Sequence, residues 1–247
     1  MISIIIPTHN EEKYLRKTLD NLKLLTLQHE IIICDDKSTD GTVTLAREYT
    51  DIVLIPESKH PTIAANRNTG IKASKGEIIM FMDSSCVVKN PDVFFTKALE
   101  QFDKNAELIG LTGPLAIYPE IAKFSDTFVY IFFNATTRIK NNILHTGEAP
   151  GKFQMVRRDA LMKINGFKEH LVTGEDADLF YRLSKIGLTL YDPTLVMYHS
   201  GRRAHALGWP KILTTWMIDR LWLSIFGHSH STTWIRWWEK DKRSITK

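Results

Sequence analysis

The sequence predicts an α/β fold, a mostly parallel sheet flanked by helices, on three observations. Short β-branched runs alternate with helical patterns through the first 115 residues. The runs are continuously apolar, as strands covered on both faces are, rather than alternating with polar residues. Polar, acid-bearing turns follow the strands, and in an open α/β sheet the ligand site lies at the carboxyl ends.

Ile2 to Ile6 reads as the first strand, and Asn10 has the chemistry of an N-cap for a helix with acids Glu11 and Glu12 at its start and Leu15, Leu19 and Leu22 as its stripe. Glu30 to Cys34 is the second strand and delivers Asp35 and Asp36; beyond the turn Lys37 to Gly41, a short helix carries Val43, Leu45, Ala46 and Tyr49. Ile52 to Ile55 is the third strand. Thr62 to Lys75 reads as a helix stopped by Gly76, and Glu77 to Met82 as a fourth strand ending at Asp83. Asn90-Pro91 supplies a cap and a first-turn proline for a helix to about Asn105, and Leu108 to Thr112 is the fifth strand.

Beyond residue 115 the pattern loosens. Phe124 to Phe133 is rich in aromatics, Phe153 to Val156 is a short strand, and Asn165-Gly166-Phe167 is a turn closing a small helix. Thr173 opens another helix that runs to Gly187, with Thr173 and Asp176 resembling a capping box. Leu188 to Asp192 and Leu195 to Tyr198 are strands broken by Pro193, and Trp209 to Phe226 is a last, aromatic helix.

Composition excludes several classes. With 247 residues, 43% apolar and 24% charged, the chain is neither disordered nor low in complexity, and a net charge of +4 is too small to imply nucleic acid. Cys34 and Cys86 lack partners at metal-ligand spacing and read as buried thiols of a reducing compartment. The start of the chain has no basic, signal-like segment and no run reaches the ~18 apolar residues of a spanning helix, so a cytoplasmic protein is expected.

Phosphate-binding glycine loops of the dinucleotide and P-loop kinds are absent from the sequence. The acids each have a bland reading and a chemical one. Asp35-Asp36 is a solvated strand end or an acceptor for a base or ribose; Asp83 with Ser84 and Ser85 is a lone acid or a ribose and cation ligand. Glu175, Asp176 and Asp178 suit a helix dipole or supply a general base. Arg202 and Arg203, after His199 and a Gly turn, are surface groups or a bidentate clamp for an anion.

With these residues placed, residues 2–203 resemble the family 2 glycosyltransferases, which have the GT-A fold, a Rossmann-like mostly parallel sheet. The resemblance rests on ordered motifs: Ser3 to Glu11, Ile33 to Thr42, Asn66 to Gly70, Phe81-Met82-Asp83, Asn165-Gly166-Phe167 and Gly174 to Asp178. It implies a nucleoside diphosphate sugar donor bound by Pro7, Thr8, His9, Glu11, Asp36, Arg67, Asn68, Asp83, Ser84 and Ser85. Asp176 is the implied catalytic base with Glu175 beside it, and Arg202 and Arg203 face the diphosphate. A divalent cation, Mg²⁺ or Mn²⁺, is implied on Asp83 and His199. Ser85 stands where the family's D-x-D signature has its second acid, which shifts weight toward the arginines.

The implied reaction is inverting sugar transfer to an acceptor hydroxyl, on a glycan or a lipid-linked carrier. The alternative, motivated by Ser85, is a non-catalytic nucleotide-sugar binding module. The implied division is a domain over 1–208, with a nucleotide half of 1–115 and an acceptor half of 116–208, followed by an amphipathic aromatic and basic tail of 209–247. That tail carries seven Lys and Arg against three Asp and Glu, the whole net charge. It reads either as a helix packed on the domain or as an interfacial segment on the inner face of a membrane.

Overall fold

The computed structural model describes residues 1–56 and 62–226, so Trp234, Trp237, Trp238 and the basic residues among them lie outside the described residues. The described chain runs β1 (Ile2–Thr8), α1 (Glu12–Leu22), β2 (His29–Asp35), α2 (Thr42–Arg47), β3 (Val53–Leu54), α3 (Ile63–Ala73), β4 (Ile78–Phe81), β5 (Cys86–Val87) and α4 (Pro91–Lys104). It continues as β6 (Leu108–Thr112), β7 (Leu115–Ile117), α5 (Phe124–Asn142), β8 (Gln154–Arg157), α6 (Arg158–Lys163), α7 (Glu175–Leu183), β9 (Leu188–Tyr191), β10 (Met197–His199), α8 (Arg202–Leu207) and α9 (Trp209–Phe226).

Seven strands form the main sheet in the order β3-β2-β1-β4-β8-β6-β9. Strands β3, β2, β1 and β4 are parallel, β8 lies antiparallel between β4 and β6, and β9 is parallel to β6. The continuous apolar runs have a direct cause: each face of the sheet is covered. Ile4, Ile6, Ile31, Ile33 and Met80 point into one core with Leu15 and Leu19 of α1, and Ile5, Ile32, Ile79 and Phe81 point into another beneath α3. Helix α3 comes so close to β1 that a Cβ on Gly70 would lie 2.5 Å from Ile5. The expected mostly parallel sheet flanked by helices is the fold observed.

In a second sheet of three short strands, β5-β10-β7, only β10 overlaps a strand expected from the sequence, Leu195 to Tyr198; β5 and β7, two and three residues long, are too short to show a period. It pairs His199 with Cys86 and so returns the chain at residues 197–203 to the carboxyl end of β4.

Three local expectations are corrected. Asn10 is not the cap of α1: it sits at φ 54°, Glu11 occupies the cap position, and the Asn10 side-chain Oδ1 instead accepts from the Thr39 amide at 2.8 Å. Helix α7 starts on Gly174 at φ 77° rather than on a Thr173 capping box. The aromatic stretch from Phe124 opens a 19-residue helix whose buried side carries Asp126, Thr137 and Asn141 beside Tyr130, polarity that hides its period. Its asparagines complete strand edges: Asn134 exchanges two hydrogen bonds with the Leu115 backbone, and Asn142 two with Tyr191.

Helix α9 begins inside the main core rather than as a separate tail. Trp209 and Ile212 are buried there, and Trp216 packs on Phe133 of α5. Its far side exposes Leu213, Met217, Ile218 and Leu221, so it is apolar on both sides and not amphipathic. The anchor is Asp126 of α5, which accepts from the Trp209 indole at 2.6 Å and meets His205 of α8 at 2.8 Å. Asp126→Ala removes these charge-assisted bonds and leaves a buried indole N–H unpaired, so it should destabilise the protein by about 2–3 kcal/mol, read from denaturant midpoints. A midpoint matching the wild type would contradict the anchoring role.

Candidate active site

The carboxyl ends of β1 and β2 are joined by a hydrogen-bonded zipper that explains the polar turn at residues 37–42. Asn10 donates its amide to Ser38 Oγ (2.7 Å), Glu11 to Thr42 Oγ1 (2.8 Å), and the Gly41 amide donates to Glu12 Oε2 (2.9 Å). Helices α1 and α2 thus satisfy each other's free N-terminal amides. Asp35 is fully buried, accepting from Thr8 Oγ1, Ser38 N and Ser38 Oγ, so Thr8 and Asp35 hold the frame. Asp36 remains half-buried at the strand end, its carboxyl pKa raised by burial against the pull of His9. His9 donates from Nδ1 to the Asp36 carbonyl at 2.5 Å, which leaves Nε2 to accept from Asn10. Pro7 is half-buried beside them at the end of β1.

Arg67 of α3 is the centre of the site. Its guanidinium is 1% exposed and reaches Glu175 at 3.1 Å, Asp83 at 3.5 Å and the Gly151 carbonyl at 2.9 Å, with Phe167 beneath it at 5.3 Å. A Cβ on Gly151 would lie 2.6 Å from Arg67 Nη2, so that position has room only for glycine. Asn68, next in the helix, does not face the same cleft: its amide donates to the Phe167 carbonyl and accepts from the Phe167 amide, clamping the Asn165-Gly166-Phe167 turn.

The two acids at the start of α7 have different surroundings. Glu175 is buried, and desolvation with the neighbouring Asp176 charge raises its pKa to about 7 against the pull of Arg67. Asp176 is half-buried, its Oδ2 accepting from the Gly151 amide at 2.8 Å and its Oδ1 from the Ala177 amide at 2.8 Å. Gly151 therefore ties Asp176 and Arg67, and through Arg67 Asp83, to one backbone residue.

Asp83 leaves β4 half-buried. Burial would raise its pKa, yet the net shift is downward, because Lys152 at 3.3 Å and Arg67 at 3.5 Å hold the ionised form. Ser84 and Ser85 are buried, their backbone carbonyls accepting from Thr18 Oγ1 and the Tyr118 hydroxyl. His199 is buried with both ring nitrogens engaged: Nδ1 accepts from the Gly201 amide at 3.0 Å, so Nε2 carries the proton toward Tyr130 Oη at 2.6 Å. Desolvation lowers its pKa to about 3, keeping it neutral. Arg202 forms a bidentate pair with Glu11 and stacks 4.5 Å over Tyr14, joining α8 to the first loop. Arg203 lies beside it, burial lowering its guanidinium to about 10 against the attraction of Asp83.

This donor set does not fit a preformed divalent-cation site. Asp83 already carries two cations, Ser85 brings no charge, the expected ligand His199 is held by Gly201 and Tyr130, and no group of three or more metal-ligating side chains occurs among the described residues. The structure brings Arg67, Asp83, Glu175 and Asp176 together and brings Glu11 to Arg202. It adds Lys152, Gly151 and Tyr130, which the sequence reading missed. Lys152 follows a Pro-Gly turn without periodicity, and only the fold places it opposite Asp83.

Comparison with known proteins shows the family and agrees with the fold. A family model described as Glycosyl transferase family 2 matches residues 3–164. The chain is 25% identical over 241 residues to the glycosyltransferase AglE of Haloferax volcanii, covering 89% of this chain and 75% of AglE. It is 29% identical over 201 residues to the beta-monoglucosyldiacylglycerol synthase of a Nostoc species, covering 74% of this chain but only 41% of that enzyme. Among solved structures, the mannosyltransferase PcManGT of Pyrobaculum calidifontis, in complex with GDP-Man and Mn²⁺, shares the fold with a TM-score of 0.65 at 19% identity, over 81% of this chain and 56% of that one.

The raised Glu175 pKa makes a signed prediction. Its folded value, about 7, lies above the ordinary glutamate value of 4.5, so its contribution to stability is full below about pH 4.5 and is lost as pH rises through about 7. Glu175→Gln cannot ionise, so its melting temperature relative to wild type should climb between pH 5 and pH 8. Parallel wild-type and variant curves over that range would refute the assignment.

Proposed function

The chain belongs to glycosyl transferase family 2, and from that premise we propose that it transfers a sugar from a nucleoside diphosphate sugar to an acceptor hydroxyl with inversion. The observation that carries the reading is the single residue Gly151, whose amide orients Asp176 and whose carbonyl fixes the arginine that holds Asp83. A base and a donor-binding acid are thereby kept in one geometry, as a displacement reaction requires.

In this reading Pro7, His9 and Asp36 border the nucleotide base, with Thr8 and Asp35 behind them, and Asp83 accepts from ribose hydroxyls beside Ser84 and Ser85. Asp176 takes the proton of the acceptor hydroxyl while its oxygen forms the new bond to the anomeric carbon. The bond from that carbon to the diphosphate breaks, and the electron pair leaves on the phosphate oxygen. Fixed cations stabilise that developing charge most strongly where water is excluded. We assign this role to Lys152 and Arg203, with Arg202 held in place by Glu11.

PcManGT is in complex with Mn²⁺, so cation use fits the fold. In this chain a divalent cation would meet Asp83 as its carboxylate ligand and would have to compete there with Lys152. The acceptor class we favour is a lipid or cell-envelope glycan, in keeping with a diacylglycerol-modifying relative. No described helix is long and apolar enough to cross a membrane. The two buried free thiols, Cys34 with its pKa pushed up by burial to about 12, suit a reducing compartment, and we place the protein at the cytoplasmic side of a membrane.

Asp176→Asn should lower turnover by about 10²–10⁴-fold, with affinity for the nucleoside diphosphate sugar unchanged. Wild-type turnover in that variant would refute the base assignment, and donor binding without transfer or hydrolysis in the wild type would favour a binding module. Lys152→Ala should weaken nucleoside diphosphate binding by about tenfold or more and make it respond to added Mg²⁺ or Mn²⁺. A thermal-shift panel of uridine, guanosine and thymidine diphosphate sugars reads both effects, because a donor at ~100 Kd adds about 2.7 kcal/mol of stability. A wild-type shift that appears only with metal would overturn the role given to Lys152.

A further inference from the structure

We propose that the outward face of α5 is a docking surface for an anionic lipid bilayer. The helix is amphipathic in the wrong sense for water. Its buried side carries Asp126, Thr137 and Asn141, whereas Phe124 (88% exposed), Phe128 (54%), Ile131 (59%), Phe132 (59%), Ile139 (44%) and Ile143 (67%) face outward. Spacings of three, four and seven residues place these six along one stripe, about 28 Å long at 1.5 Å per residue. A monomer in water rarely leaves so continuous an apolar surface uncovered. Nor can the helix reverse itself, because Asn134 and Asn142 pair with strand backbone on the inner side and Asp126 holds Trp209 and His205.

Charge selects the occupant. From Ile121 to Thr146 the exposed side chains include Lys123, Arg138 and His145 and no carboxylate; Asp126 is buried. The neighbouring α9 adds exposed Lys211, Leu213, Met217, Ile218 and Leu221, with Asp219 buried. The segment that follows, residues 227–247, holds five Lys and Arg against two Asp and Glu and three Trp. A second copy would set this face against itself across a two-fold axis and oppose cation to cation. Anionic headgroups over an acyl layer match both the apolar stripe and its basic margin.

The inner side of the same helix meets the chain that returns to the end of β4, Tyr130 lying 2.6 Å from His199. A helix is about 10 Å across, so a bilayer on the outer face would lie about one helix diameter from β10. That nearness suits a lipid-linked acceptor, a consequence that rests on the proposed transfer; the docking does not.

The test is flotation of the full chain with vesicles of phosphatidylglycerol and phosphatidylcholine, against pure phosphatidylcholine, without donor or acceptor. The wild type should float with the anionic vesicles and be released by salt. Phe128→Glu with Phe132→Glu should lower the partition coefficient by at least about tenfold, while the melting curve and nucleotide-sugar binding stay as in the wild type. As a second readout, a polarity-sensitive dye on Ile131→Cys, with the native thiols buried, should shift to the blue on anionic vesicles alone. Undiminished flotation of the double variant, or an unshifted dye, would overturn the proposal. So would a concentration-dependent dimer in the wild type that the double variant abolishes, because the face would then join two copies. Loss of sugar transfer with flotation intact would count against the functional reading instead.

Discussion

The site depends on one buried charge. A guanidinium withdrawn from water to 1% exposure is costly unless its hydrogen bonds and counter-charges are supplied, and Arg67 draws them from three separate segments: Asp83 at the end of β4, Gly151 before β8 and Glu175 at the start of α7. Removing any of these leaves an incompletely paired ion in the core, so the three segments are held in mutual register by the penalty of separating them. The order of Arg67, Asp83 and Glu175 along the chain gives no hint of this, since 108 residues separate the arginine from its glutamate.

Electrostatic balance then sets what the cleft can attract. Asp83 sits between Arg67 and Lys152, and Arg203 lies close enough to feel it. With Arg202 neutralised by Glu11, Asp83 is flanked by a patch of three cations, Arg67, Lys152 and Arg203, in partly buried surroundings. Such a patch favours a group of high negative charge, which a diphosphate is. Had an acid stood at Ser85, the balance would have moved toward binding a divalent ion, with Lys152 repelled from it or pairing with it. Neutral His199 fits the same surroundings: protonating it would bury a charge away from water and close to Lys152, and its hydrogen bond from Gly201 requires the unprotonated Nδ1.

The sequence made the first half of the sheet legible because periodic burial is written there residue by residue: Ile4 and Ile6 meet one layer of helices, Ile5 the other. Asp83, Glu175 and Asp176 were legible as acids following strands or opening helices. What could not be read were interactions that depend on distant segments. Asn10 has cap chemistry, but the loop at Ser38 and Thr39 competes for it and pulls its backbone to a positive φ. Arg202 reads as an anion clamp, but Glu11, 191 residues away, meets it first. Lys152 carries no local signal at all.

Helix α5 is the deepest departure from sequence logic, and its cause joins fold to function. A helix that buries asparagines does so because strand edges need partners: Leu115 of β7 and Tyr191 of β9 have backbone groups that no further strand satisfies, and Asn134 and Asn142 stand in for the missing strands. Once the inward positions are committed to polar side chains, the hydrophobic effect can no longer fix the helix through its core face alone, and its stability must come from those bonds and from Tyr130, Phe133 and Asp126. The outward positions then meet no packing requirement among the described residues, and in water nothing there would select phenylalanine and isoleucine over lysine or glutamate. Their presence at 124, 128, 131, 132, 139 and 143 is therefore a demand made from outside the described fold, placed on a helix whose inner side also meets His199 and His205 of α8.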